Sequence, residues 1–160
     1  MSMLYPCTPK PAAVCPFSDM AGVDLAGKDL SGMHFDDSDL SAAHLQKVDL
    51  SGAFLLNSDL TRADMTGARL AGAYLLSANL QQTDLSGVDL QGAYLQESDM
   101  AQSNLTNANL TGAVFSGANL RAAHLDHANV SGTEWRGADL TNATWTDGHI
   151  CGPGSIGMCR

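Results

Sequence analysis

The sequence predicts an all-β fold in which the chain coils around its own axis, as in a β-helix. The first observation is a five-residue period: every fifth residue from Met20 to Ile150 is large and apolar, and 18 of these 27 positions are Leu. The second is a column of small residues two positions before each of them, with Ala at 14 of the 27 places. Because no insertion breaks this register, we expect one continuous structure over the whole repeat.

A period of five excludes both an α-helix and an ordinary sheet. On a helix, successive Leu side chains would lie about 140° apart and would wind around every side. On a flat strand they would alternate between the two faces, because five is an odd number. Within one unit, however, the Leu and the small residue are two apart and point to the same side of an extended segment. A turn after each segment then directs both columns into the coil, and Gly two positions after the Leu supplies the positive φ that such a turn can require.

Runs such as ADLTNATW, ANLTGAVF, ADMTGARL and VDLSGAFL repeat the pattern A(D/N)LXX. The sequence therefore resembles the pentapeptide-repeat family over residues 16–150. This resemblance implies a right-handed quadrilateral β-helix, a β-solenoid with four pentapeptides per coil and nearly seven coils. We expect a Pro-rich N-terminal cap segment at 1–15, the repeat β-helix at 16–150 and a Gly- and Cys-containing tail at 151–160.

Composition and charge argue against several kinds of partner and location. The net charge of −9 argues against direct nucleic-acid binding, which needs a basic patch. No run of about 18 apolar residues occurs, so we predict no membrane span. The first residues lack a charged segment followed by an apolar core, so we predict no secretory signal and a cytoplasmic location. A lumenal or periplasmic location becomes the expectation if the terminal cysteines form disulfides, and the sequence leaves their redox state open: Cys7, Cys15, Cys151 and Cys159.

The sequence predicts no enzyme. It contains no P-loop, no GxGxxG and no HExxH motif. Carboxylates recur along the whole repeat, so a carboxylate pair carries no information, and His34, His44 and His149 are scattered. A surface metal site is conceivable at His124, Asp126 and His127, with Asp147 stacked beside them, but these residues straddle a corner and their side chains diverge. We therefore predict no catalytic, cofactor-binding or metal-binding residues and no cofactor.

Four units per coil place residues twenty apart in stacked positions, and one such row is aromatic in the middle coils: His34, Phe54, Tyr74, Tyr94, Val114 and Glu134. It contains Phe54, Tyr74 and Tyr94, with Leu56 and Leu76 beside it. We expect these five residues to form an exposed apolar patch, which usually marks an interface. A symmetric homodimer is the simplest form, because one patch can meet its own copy. In the alternative interpretation, the rings lie flat and cover their own wall.

A second row is acidic. Its carboxylates are Asp19, Asp39, Asp59, Asp99 and Asp139, with Asn79 and Asn119 between them. In one interpretation this acidic ladder satisfies the main chain of neighbouring turns. In the other it is a negative stripe that meets a basic partner.

Two functions follow from these features. The first is a rigid protein–protein interaction or scaffold module whose protein partner the sequence does not identify. The alternative, implied by the resemblance, is a DNA mimic that binds DNA gyrase and either modulates it or protects it from quinolones. The net charge is about half of the roughly 19 charges on duplex DNA of the same length. The sequence also lacks the projecting loops and the C-terminal helix that many gyrase-binding members of the family carry.

Overall fold

The computed structural model describes residues 7–160, so the first six residues of the predicted N-terminal cap lie outside the described part. Over this range the secondary structure consists of single-residue β-bridges separated by two-residue turns, with no helix and no longer strand. Consequently the described residues also contain no helix that could cross a membrane.

Parallel bridges join residues that are twenty positions apart, from Val14–His34 to His124–Thr144. Each bridge is built from main-chain hydrogen bonds: Leu55 N–H donates to the Tyr74 carbonyl at 2.7 Å, and Tyr74 N–H to the Ala53 carbonyl at 2.9 Å. One coil therefore contains four pentapeptides. The fold is the predicted right-handed quadrilateral β-helix.

Each corner of a coil is a tight turn. Ala53 N–H closes one of them by donating to the Leu50 carbonyl at 3.0 Å. The second central residue has a positive φ at every corner from Ala12 to Asn142, which is the mark of a type II turn. Gly52 adopts this conformation with φ 64°, as expected, but Gln82 does so as well with φ 57°. The coil therefore imposes the conformation, at about 1–2 kcal/mol for a residue with a Cβ.

The two predicted inward columns form the core. Leu55, Leu75 and Leu95 have no exposed surface, and the small Ala53 and Ala73 are equally buried. Most polar members of the small column find partners inside the wall, although the Ser103 hydroxyl has none within residues 7–160. For example, the Ser58 hydroxyl donates to the Leu55 carbonyl at 2.7 Å. The core is thus a stack of Leu side chains held close together by small neighbours.

The five-residue register ends after Trp145. The next positive φ falls on Gly148 instead of residue 147. Ile150, which the period places in the inward column, is 68% exposed, so that expectation is wrong. The reason is a reversal of the chain, because Ile150 forms an antiparallel bridge back to Thr144.

The reversed tail covers the open end of the last coil. Leu140 N–H donates to the Ser155 carbonyl, and Gly157 N–H donates to the Ala138 carbonyl, both at 2.8 Å. Cys151 enters the core with no exposed surface. These hydrogen bonds occupy an edge that would otherwise be free to pair with another chain.

Disulfides close a short loop at each end of the rod. They join Cys7 to Cys15 and Cys151 to Cys159, with a sequence separation of eight in both cases. The sequence left the redox state of these four residues open, and in the structure they are bonded.

Candidate interaction surfaces

One face of the rod carries a continuous stack of rings. His34 and Phe54 have centroids 4.2 Å apart, Phe54 and Tyr74 4.8 Å, and Tyr74 and Tyr94 5.0 Å. The planes of neighbouring rings differ by at most 11°. Parallel pairing causes this arrangement, because it places the same side chain of successive coils one strand spacing apart. We call these four residues the aromatic stack.

The five residues predicted as an interface lie together on this face. Phe54 and Tyr74 are half-buried, and Tyr94 is 38% exposed. Leu56 and Leu76 flank the stack at the adjoining corner and are also half-buried. Each ring covers the face of the ring in the next coil. The patch still leaves part of every one of its side chains accessible.

The aromatic stack replaces a hydrogen bond that the other faces make. Where an Asp or Asn occupies the same position of the unit, its side chain accepts the N–H two residues on, as Asp64 does from Thr66 at 3.1 Å. Phe and Tyr cannot do this, and the N–H groups of Leu76 and Gln96 have no acceptor within residues 7–160. Each lost bond is worth about 1 kcal/mol. Stacking of neighbouring rings offsets this loss, at about 0.5–1.5 kcal/mol per pair.

The middle of this face is uncharged. The segments 51–56 (SGAFLL) and 71–76 (AGAYLL) contain no ionisable side chain other than the Tyr74 phenol, in a chain with a net charge of −9. The charged side chains nearest in sequence are Asp49, Asp59 and Arg69, in the neighbouring units of the repeat. Asp36 borders the stack at one end, where its Oδ1 accepts the Leu56 N–H at 3.1 Å. This surface can therefore approach a negatively charged molecule with less repulsion than the other faces.

The acidic ladder makes the contacts that the turn interpretation requires. Oδ1 of Asp39 accepts the Ser41 N–H at 2.9 Å, and the other four carboxylates accept the corresponding N–H two residues on. This local bond is the usual reason for Asp or Asn before a turn. The ladder thus has a structural role in every coil where it occurs.

Neighbouring side chains also reduce repulsion along the ladder. Asn119 Nδ2 donates to Asp99 Oδ1 at 3.0 Å, and Gln81 Nε2 donates to Asp99 Oδ2 at 2.9 Å. Arg121 Nη1 donates to Asp139 Oδ2 at 3.0 Å. The negative charge of this face is therefore interrupted by hydrogen-bond donors and by one cation.

Four carboxylates have a lowered pKa, those of Asp49, Asp64, Asp139 and Asp147, and two of them show the cause well. For Asp64, burial acts to raise the pKa, but hydrogen bonds from Thr66 and Gln46 outweigh it. For Asp139, burial is likewise outweighed by hydrogen bonds from Thr141 and by the Arg121 guanidinium. In both cases the folded chain favours the ionised form more than the unfolded chain does.

We therefore expect the rod to lose stability in acid. A carboxylate with a lowered folded pKa stabilises the fold above its unfolded value of about 3.9, and this stabilisation disappears as the pH falls through the folded pKa. We expect the urea concentration at the midpoint of unfolding to be constant from pH 7 to about pH 4 and to decrease at lower pH. Asp64→Asn with Asp139→Asn should flatten this dependence and cost about 1 kcal/mol or less per site at pH 7. Asp126→Asn is the control, because its carboxylate accepts no hydrogen bond from residues 7–160, and an equal flattening there would contradict the assignment.

The structure also assembles a cluster that the sequence analysis missed. In the tail, Nδ1 of His149 lies 2.5 Å from Asp147 Oδ1, and Nε2 lies 3.1 Å from Cys159 Sγ. Cys151 completes the group, and the two disulfide sulfurs and a ring nitrogen of His149 lie within 4.8 Å of one another. The nearest signal in the sequence was the spacing of Asp147, His149 and Cys151. Cys159 joins them only through the reversal of the tail.

Comparison with known proteins identifies the family. The model of pentapeptide repeats matches eight copies, in the segments 18–55, 55–92, 89–125 and 118–144. The chain therefore belongs to the pentapeptide-repeat family, whose members are in general structural or interaction modules. No curated protein matches the sequence.

Solved structures with this fold include two that are similar along most of the chain. Full-length QnrB1, a plasmid-mediated fluoroquinolone resistance protein, has a TM-score of 0.59 and 20% identity, covering 93% of this chain and 82% of its own. The pentapeptide repeat protein Rfr23 from the cyanobacterium Cyanothece 51142 has a TM-score of 0.50 and 29% identity, covering 82% of this chain and 90% of its own. At 20% identity, the likeness to QnrB1 concerns the fold alone.

Proposed function

We propose that this protein is a non-enzymatic interaction module, a rigid rod that binds protein through the aromatic stack and its flanking leucines. The observation that carries this proposal is the partly exposed and uncharged patch of Phe54, Leu56, Tyr74, Leu76 and Tyr94. A Leu-filled coil has few ways to change shape, so a partner must fit a surface that already exists. Tyr and Phe are favoured at such contacts, since they bury much area with few rotatable bonds.

The first partner that we propose is a second copy of the chain. Two rods with a net charge of −9 repel each other, so they can associate only through a face with little charge. Segments 51–56 and 71–76 provide such a face. A two-fold axis through the patch would place each aromatic stack against its copy. A further protein partner could then bind the remaining faces of the dimer.

Light scattering coupled to size-exclusion chromatography tests this interface. The wild-type protein is expected at twice the mass of one chain, and Tyr74→Asp with Leu76→Asp at the mass of one, because two carboxylates on each copy would be desolvated at the contact. The double variant should stay folded, because both residues lie on the outside of the wall. Gln82→Asp with Gln102→Asp is the matched control, since it adds the same charge at exposed corners of another side and should remain dimeric. A monomeric wild-type protein would rule out the homodimer.

A DNA mimic that acts on DNA gyrase is the second candidate. It is supported by the negative rod, by the outward row of carboxylates and by the fold shared with a fluoroquinolone resistance protein. Against it, the ladder carboxylates bind the main chain of their own turns, and Arg121 interrupts the charge. We therefore rank it below the interaction module.

A gyrase supercoiling assay with and without a quinolone tests this second candidate. If the protein inhibits or protects gyrase, Asp39→Asn, Asp59→Asn and Asp99→Asn together should abolish the effect. Asn keeps the side-chain oxygen that accepts the turn N–H, so the fold should be retained while three charges are lost. An effect that survives these substitutions would contradict mimicry through the ladder.

We also propose that the protein works in an oxidising compartment, instead of the cytoplasm expected from the lack of a secretory signal. The support is the pairing of all four cysteines at the two ends of the rod. Structural disulfides persist where thiols are not kept reduced. Alkylation of the protein from the cell, before and after reduction, shows whether the four cysteines are free or paired. Cysteines that react only after reduction would support the oxidising compartment, and free thiols would restore the cytoplasmic assignment.

A further inference from the structure

The cluster in the tail places an imidazole against one sulfur of the Cys151–Cys159 disulfide. The acid Asp147, the imidazole of His149 and the sulfur of Cys159 lie in one line of contacts, at 2.5 Å and 3.1 Å. A carboxylate can only accept, so the proton of the neutral ring lies on Nδ1 and the lone pair on Nε2 faces the sulfur. The His149 N–H donates to the same carboxylate at 3.2 Å, which fixes the position of Asp147.

The two sulfurs of this disulfide differ in access. Cys151 is fully buried in the core, whereas Cys159 is half-buried near the end of the chain. The imidazole beside Cys159 is about half exposed. A small thiol or disulfide can therefore reach Cys159 from solvent but cannot reach Cys151 directly.

We propose that Cys151–Cys159 is a redox-exchangeable disulfide in which Cys159 is the attacking thiol, Cys151 the resolving thiol and His149 the base. Asp147 is the residue that positions His149. The substrate class is a small or peptide disulfide in the oxidising direction and a dithiol in the reducing direction. The pair at the other end, Cys7 and Cys15, is a structural crosslink.

The exchange balances in both directions. In oxidation, Nε2 of His149 takes the proton of Cys159, and the thiolate attacks one sulfur of the external disulfide, forming a mixed disulfide and releasing one thiolate. The released thiolate takes the proton held by His149, and the imidazole then accepts the proton of Cys151. The Cys151 thiolate attacks Cys159 Sγ, which forms the protein disulfide and releases the second thiolate, and His149 protonates this thiolate in turn. The protein loses two electrons and two protons, and the external disulfide becomes two thiols. Reduction by a dithiol is the reverse, with attack on Cys159 and departure of Cys151.

Three features support a special role for this end of the rod. Within residues 7–160, no comparable group of histidine or acidic atoms surrounds Cys7 and Cys15. Both disulfides span the same sequence separation of eight, so the two pairs have equal loop lengths. Any difference between their rates of disulfide formation would therefore have another cause. An imidazolium next to a thiolate is the established way to increase the thiolate fraction at neutral pH.

The N-terminal pair provides the matched control. Cys7→Ser with Cys15→Ser leaves only the C-terminal pair, and Cys151→Ser with Cys159→Ser leaves only the N-terminal pair. Both proteins are reduced, mixed with oxidised glutathione and quenched by alkylation, and disulfide formation is followed by intact mass. We expect the C-terminal pair to oxidise on the order of 10- to 100-fold faster. Equal rates for the two pairs would overturn the proposal.

Substitution of the base separates chemistry from structure. His149→Gln keeps a hydrogen-bonding amide but cannot accept a proton, so it should remove about tenfold or more of the rate. Asp147→Asn should slow the reaction as well, and Asp147→Glu should restore part of it. Circular dichroism of each variant establishes that the rod is folded. A His149→Gln protein that is folded and oxidises at the wild-type rate would refute the role of the imidazole.

Discussion

Leu85→Asp is expected to unfold the rod. Leu85 is 1% exposed and lies in the inward column, so the carboxylate would be placed in a stack of Leu side chains without a partner. A buried, unpaired charge costs several kcal/mol, and more than about 4–5 kcal/mol is a large part of the stability of an ordinary domain. Each coil is hydrogen-bonded to the coils above and below, so the loss should spread along the rod. Thermal unfolding followed by circular dichroism measures it.

A nearby exposed position provides the control for this variant. Gln82→Asp introduces the same side chain three residues earlier, at a corner that is exposed to solvent. Asp tolerates the positive φ of that corner, and Arg62 lies beside it as a hydrogen-bond donor. Its melting curve should stay close to that of the wild type. An unchanged curve for Leu85→Asp would show that the column does not point inward.

Phe115→Ala is expected to give the second-largest loss, about 3–5 kcal/mol. Phe115 occupies a Leu position with no exposed surface and stacks on Trp135 with centroids 4.8 Å apart. Removing its ring would open a cavity below the C-terminal end, where Trp135 and Trp145 form the next layer in an edge-on contact. The midpoint of urea unfolding measures the change.

Phe54→Ala is the matched control, because it removes the same ring from the outside of the wall. Phe54 is half-buried and contacts the rings of His34 and Tyr74. Loss of stacking should cost about 1–2 kcal/mol, clearly less than for Phe115. Equal losses at the two positions would mean that the aromatic stack is part of the core, which would weaken the interface proposal. A small loss together with a change in mass on light scattering would strengthen it.

The two proposed surfaces differ in whether their side chains make hydrogen bonds that the fold itself needs. The ladder carboxylates accept hydrogen bonds from their own turns, so their presence is explained without a partner. The rings of the aromatic stack cannot make those bonds, so the N–H groups of Leu76 and Gln96 have no acceptor within residues 7–160, whereas the Leu56 N–H donates to Asp36. Leu56 and Leu76 add apolar area at a corner. This difference is why the interaction module ranks above the DNA mimic.

The sequence by itself determined the coil. Leu at every fifth position and a small residue two before it can both be buried only in a coil of extended segments and turns, and the bridges at a spacing of twenty confirm four units per coil. The resemblance to the pentapeptide-repeat family added four units per coil, and this number placed Phe54, Tyr74 and Tyr94 in one row, because parallel pairing preserves position within the unit. Local periodicity is sufficient here because each coil contacts only its neighbours.

Only the tertiary structure showed where the coil ends, how the tail covers it and how the outward rings stack on one another. The five-residue pattern of the sequence continues to Ile150, but the chain reverses after Trp145. The reason is that the last coil has a free edge and an open core, which the tail covers. That reversal brings Cys159 beside His149, ten residues away in sequence. A repeat encodes contacts between equivalent positions, whereas the cap and the tail cluster depend on one irregular path that no period describes.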